Sequence, residues 1–100
     1  MANESEDVWT VYMLRCADGS LYTGITTDLI RRCKQHNAGT ASRYTRSRRP
    51  TRLVYQEAQV NRSQASKREA AIKSLSRRQK ESMIPLRTGR KRFSVLQPTP

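Results

Sequence analysis

Apolar and polar positions alternate first over residues 8–15 and again over residues 21–25, which reads as two β-strands. Between them, Ala17-Asp18-Gly19 suits a three-residue hairpin loop, a type I turn closed by a glycine in the left-handed region. That loop pairs Cys16 with Ser20, Leu14 with Tyr22 and Tyr12 with Gly24, so the phenols of Tyr12 and Tyr22 emerge on one face of the sheet. A two-residue Asp-Gly turn would shift the pairing by one and put them on opposite faces. Helical spacing then sets in over residues 29–37, capped by Thr27 or Asp28 and ended near Gly39. Residues 40–51 are polar, basic and end in a proline, which predicts a loop. A third strand spans residues 52–58. A helix over 64–75, opened by Asn61 or Ser63, and another over 77–83, stopped before Pro85, complete the pattern. The order β-β-α-β-α-α predicts an α+β fold with helices flanking a small three-stranded antiparallel or mixed sheet.

One hundred residues make one domain with a small core. Four of its six aromatic residues are tyrosines, so the core must come mainly from aliphatic side chains. The pattern divides the chain into a disordered acidic tail (1–7), a folded domain (8–84) and a basic tail (85–100) whose apolar patch is Phe93-Ser94-Val95-Leu96.

Charge changes the picture most. The formal net charge is +12, and residues 31–92 hold nineteen Lys or Arg against Glu57, Glu69 and Glu81, a net +16. An excess of that size exceeds what solubility needs and points to a polyanionic partner, with nucleic acid, DNA or RNA, as the default. A membrane fits poorly, because no segment approaches the roughly 20 apolar residues a span requires and the basic helices lack an apolar face. No obligate protein partner is evident. Cys16 and Cys33 form no CxxC pair and read as reduced, small apolar residues. The acidic N-terminus lacks the apolar stretch of a signal peptide, so a cytoplasmic, nucleoid-associated location is expected.

Two helix faces carry candidate chemistry. Leu29, Arg32, Cys33 and His36 share one face of the first helix, while Arg31 and Lys34 point to solvent. Taken alone, such an arginine snorkels and such a histidine caps a carbonyl. On the second helix, Glu69 interrupts the apolar stripe of Ala65, Ile72 and Leu75. A carboxylate there needs a partner, either a salt bridge to a neighbouring cation or a hard metal ion, since Mg²⁺ takes one or two carboxylates and keeps its waters. Arg43, Arg46, Arg48, Arg49 and Arg52 form a basic run with Tyr44 as a stacking platform.

Thr10-Val11-Tyr12 and Tyr22-Thr23-Gly24, with the run from Ile25 through Arg31-Arg32 to Gln35-His36 and the later Lys67-Arg68-Glu69-Ala70-Ala71-Ile72-Lys73, resemble the GIY-YIG nuclease superfamily, in its small stand-alone bacterial members of YhbQ type. The resemblance covers residues 8–84. It implies a divalent-metal-dependent DNA nuclease, structure- or end-directed, acting in DNA repair or processing. A non-catalytic nucleic-acid-binding module on the same fold is the alternative. It implies further that Tyr12 and Tyr22 orient or deprotonate water, that Arg32 stabilises the phosphorane with His36 assisting, and that Glu69 holds one Mg²⁺ or Mn²⁺. Gly24 lets the backbone run close under the substrate. The chain departs from some members in having Ile25 where they carry a lysine, and in having no asparagine beyond Asn61.

Overall fold

A computed structural model describes residues 8–85. The two tails, including the apolar patch at 93–96, lie outside the described residues apart from Val8 and Pro85 at the ends. The elements are β1 (Trp9–Arg15), β2 (Leu21–Thr26), α1 (Leu29–Ala38), α2 (Arg43–Arg46), β3 (Arg52–Gln59), α3 (Arg62–Lys73) and α4 (Arg77–Met83). The sheet is antiparallel throughout, in the order β2-β1-β3.

The hairpin forms in the register that the three-residue loop requires. Cys16 N–H donates to the Ser20 carbonyl at 2.8 Å, Gly19 N–H donates to the Cys16 carbonyl at 2.9 Å, and Gly19 takes φ 87°. Asp18 closes the turn by accepting from the Ser20 N–H at 3.0 Å and the Ser20 hydroxyl at 2.6 Å. Tyr12 therefore lies opposite Gly24, and Leu14 opposite Tyr22. On the other side, Met13 pairs with Tyr55 and Leu14 with Leu53, which leaves Val54 as the extra residue of a β-bulge.

Because β1 is the middle strand, both its faces are covered, and Val11, Tyr12, Met13 and Leu14 are all fully buried. Val11 and Met13 pack with Ala65 and Ile72 of α3, bordered by Trp9, Ile25, Val54, Tyr55, Met83 and Ile84. Tyr12 alternates to the opposite face, where α1 lies. Asp28 caps α1 by accepting from the Arg31 N–H. Gly39 ends it at φ 85° in a Schellman arrangement, with the Thr40 N–H donating to the Gln35 carbonyl at 3.0 Å and the Gly39 N–H to the His36 carbonyl at 3.2 Å. Asn61 caps α3 and Ser76 caps α4 with a full capping box.

Residues 40–51, expected as a loop, contain the single turn α2. Four residues are too few to show a periodicity. The turn exists because Ser42 Oγ accepts from the Thr45 N–H at 3.1 Å and because Thr45 is drawn into the interior. Among the described residues, no helix is long and apolar enough to cross a membrane.

The last helix is tied to the hairpin by charge. Arg15 grips Glu81 with both terminal nitrogens, at 2.6 and 2.8 Å, and Arg77 adds a bond to Glu81 at 3.1 Å and one to the Gly19 carbonyl at 2.8 Å. Hydrogen bonding from Arg15, helped by Arg77, holds the Glu81 carboxyl at about 2. A carboxyl lowered on folding adds stability that is complete above its unfolded value, near 4.3, and is lost as pH falls toward about 2. Glu81→Gln should therefore lower the urea midpoint at pH 7, with the gap to the wild type closing between pH 4 and pH 2. The opposite sign is expected at Thr23, whose buried hydroxyl lacks a hydrogen-bond partner. Thr23→Val removes that desolvated group and should stabilise the fold by about 1 kcal/mol in urea denaturation.

Candidate active site

The two phenols stand on the α1 side of the sheet, with ring centroids 6.4 Å apart. Gly24 makes the room for one of them. A Cβ at Gly24 would meet Tyr12 Oη at 2.6 Å and Tyr12 Cζ at 2.8 Å. The space a side chain would need at Gly24 is filled by the cross-strand phenol.

Tyr12 Oη lies 2.8 Å from His36 Nε2, and His36 Nδ1 lies 2.8 Å from Thr45 Oγ1. Tyr12, His36 and Thr45 are each about 1% exposed, so this chain of hydrogen bonds runs through the interior. His36 is thus not a helix-end cap: both its ring nitrogens are engaged. Burial first, and then the Arg32 guanidinium one turn earlier on α1, push its basicity below the ordinary imidazole value and keep it neutral. Burial also dominates at Tyr12. Together with Tyr22, and against the opposite pull of Arg32, it holds the phenol well above the ordinary range and therefore protonated.

Tyr22 is half-buried, with its ring 5.0 Å from that of His36 and 6.0 Å from that of Tyr44. Arg32 is half-buried beside Tyr12 and His36, and its charge acts on both. Glu69 projects from α3 between Ala65 and Ile72, and its charge contributes to the raised Tyr12 value. Its carboxylate pairs with Lys73 Nζ at 3.1 Å, an i,i+4 pair on a partly exposed surface. Such pairs contribute only about 0.3–0.5 kcal/mol, so a cation can replace the lysine at little cost. Among the described residues no three His, Cys, Asp or Glu side chains cluster. Glu69 thus offers one carboxylate, which suits a hydrated hard cation and not a caged soft one.

The basic run divides. Arg43, Arg46, Arg49 and Arg52 are exposed, and Arg48 is half-buried. Arg48 bonds Asp18 at 3.0 Å and the Tyr44 carbonyl at 2.9 Å, with its Cζ 3.9 Å from the Tyr44 ring centre. Arg49 donates to the carbonyls of Arg46 at 3.0 Å and Asn37 at 3.4 Å, and its guanidinium covers Gly39. These two arginines fasten residues 40–51 to the hairpin turn and to α1. Tyr44 packs against Tyr22 and Arg48 and remains 38% exposed. Sequence reading passed over Thr45 and Ser42. Their one signal is the Ser-x-x-Thr spacing of a helix cap.

Residues 8–82 match the GIY-YIG catalytic domain. The chain belongs to the GIY-YIG family. This is a nuclease superfamily, and its two name-giving triplets are the strands that carry Tyr12 and Tyr22 here. A UPF0213 protein of Desulfotalea psychrophila is 52% identical over 89 residues, covering 88% of this chain and 79% of that protein. A UPF0213 protein of Listeria monocytogenes is 46% identical over 84 residues, covering 84% of this chain and 92% of its own. A protein from E. faecalis solved by solution NMR is 43% identical, with a TM-score of 0.55, covering 82% of this chain and 85% of that one. This GIY-YIG chain is accordingly matched over most of its length by small relatives.

Gly24→Ala tests the packing at the centre of the site. The methyl group should displace the Tyr12 ring, cost about 1–3 kcal/mol in urea denaturation and shift the His36 imidazole resonances. An unchanged His36 spectrum would show that the phenol sits elsewhere.

Proposed function

We propose that this GIY-YIG protein is a divalent-metal-dependent nuclease that hydrolyses DNA phosphodiester bonds by in-line attack of water, choosing its substrate by structure or by ends. One observation carries the proposal: two phenols, a neutral imidazole and a guanidinium converge on one sheet face in a strongly basic protein. A pure binding module has no use for a buried Tyr-His pair, which desolvates polar groups in a core too small to spare them.

Each group has a role suited to its surroundings. Tyr22, the more accessible phenol, orients the attacking water. The Tyr12–His36 pair stands ready to take up its proton. Arg32 offers a planar fork to the charge that grows on the phosphoryl oxygens. Glu69 would hold the one Mg²⁺ or Mn²⁺, a Lewis acid that polarises the phosphate and eases departure of the leaving oxygen. Arg43, Arg46 and Arg52 provide phosphate contacts that give affinity without sequence reading. Phosphate contacts alone read no bases, so the choice of substrate falls to shape. DNA repair or processing in the cytoplasm is the setting such an activity serves.

Glu69→Ala separates cutting from holding. Linear, nicked, branched and single-stranded DNA should each be tested with Mg²⁺, with Mn²⁺ and with chelator. The variant should lose cleavage by at least about 100-fold, while its DNA affinity by anisotropy stays within about twofold. Undiminished cleavage by the variant, or cleavage that persists in chelator, would rule the mechanism out.

A further inference from the structure

We infer that Thr45 is a positioning residue of the site, which sets the tautomer of His36 and, with Ser42, gives the proton taken up at Tyr12 a route to the surface. The inference rests on the nuclease reading for its purpose but not for its geometry.

The hydrogen-bond chain continues past the imidazole. His36 Nδ1 meets Thr45 Oγ1 at 2.8 Å, and Thr45 Oγ1 meets Ser42 Oγ at 3.0 Å. The first three members are buried, whereas Ser42 is half-exposed at the cap of α2. In an interior that excludes water every donor needs an acceptor, and this restricts the order of the protons. With Tyr12 donating to Nε2, Nδ1–H donates to Thr45 Oγ1, and the Thr45 proton has two acceptors on Ser42, its Oγ at 3.0 Å and its carbonyl at 3.4 Å; donation to Oγ turns the Ser42 proton to solvent. No buried proton is then left without an acceptor. The reverse order strips the phenol proton of its acceptor until a substrate oxygen arrives. Thr45 is thus the group that keeps the proton on Nδ1 and presents a bare Nε2 to Tyr12 in the resting protein.

The same order supplies the exit. As the water's proton reaches Tyr12 Oη, the phenol's own proton passes to Nε2. The Nδ1 proton moves to Thr45 Oγ1, the Thr45 proton moves to Ser42 Oγ, and the Ser42 proton leaves to solvent. One proton enters, one leaves, and no group in the chain keeps a charge. A phenol that burial holds protonated can therefore serve without becoming a phenolate.

Thr45→Val and Thr45→Ser provide the test, in the full chain. Long-range ¹H–¹⁵N imidazole spectra should show a single neutral tautomer, protonated at Nδ1, in the wild type and in Thr45→Ser. In Thr45→Val the tautomer should change or become mixed. Single-turnover cleavage should fall about 100-fold in Thr45→Val at unchanged DNA affinity, recover to within about threefold in Thr45→Ser, and lose its multi-proton solvent isotope effect only in the valine variant. A valine variant with wild-type imidazole signals overturns the inference, as does a serine variant that rescues neither signal nor rate. The serine variant also decides the matter if the valine variant fails to fold. A wild-type protein that cuts no DNA, while valine still reshuffles the imidazole protons, retires the nuclease reading and leaves the positioning role standing.

Discussion

The bond between Tyr12 and His36 spans the gap between the central strand and the first helix, and the rest of the site is arranged around it. It is a polar contact made where water is excluded, in a domain with few apolar residues to spare. Such a contact stabilises only if every atom in it is satisfied, and here Thr45 and Ser42 complete the satisfaction. Gly24 makes room for the phenol, the three-residue turn brings Gly24 opposite it, and the Schellman end of α1 fixes the turn that carries His36.

Charge in this protein does two jobs that composition cannot tell apart. Arg15, Arg48, Arg49 and Arg77 bind carboxylates and carbonyls within the fold, clamping the hairpin turn, the segment around α2 and the last helix together. Arg43, Arg46 and Arg52 face solvent, and Arg32 lies half-buried beside the phenols. A strongly basic sequence therefore overstates the surface open to a polyanion, because part of the guanidinium complement is structural.

Much of the fold was legible in the sequence. Local chemistry decided the hairpin, since Ala-Asp-Gly admits a left-handed third residue, and that turn alone determined which face the phenols share. The first helix face was legible for the same reason: spacing of three and four residues is a local rule. What escaped was non-local. The turn α2 has no periodicity and is held by a cap and a buried hydroxyl, so beyond the spacing from Ser42 nothing nearby in sequence marks Thr45. The contacts of Tyr44 with Tyr22 and Arg48 likewise depend on how the chain folds back. At Gly24 the closely approaching group is the protein's own Tyr12 ring, a cross-strand contact that the residue pattern does not display. The bulge at Val54 left no trace in the residue pattern either.

The middle strand supplies both the centre of the apolar core, through Val11 and Met13, and the centre of the site, through Tyr12, on alternate residues. Fraying begins at sheet edges and chain ends, and β1 is neither. Opening the site from within thus means breaking the domain itself, leaving no cheap intermediate that is folded yet idle. Among the described residues, the strand that holds the core together is therefore also the one that holds the site together.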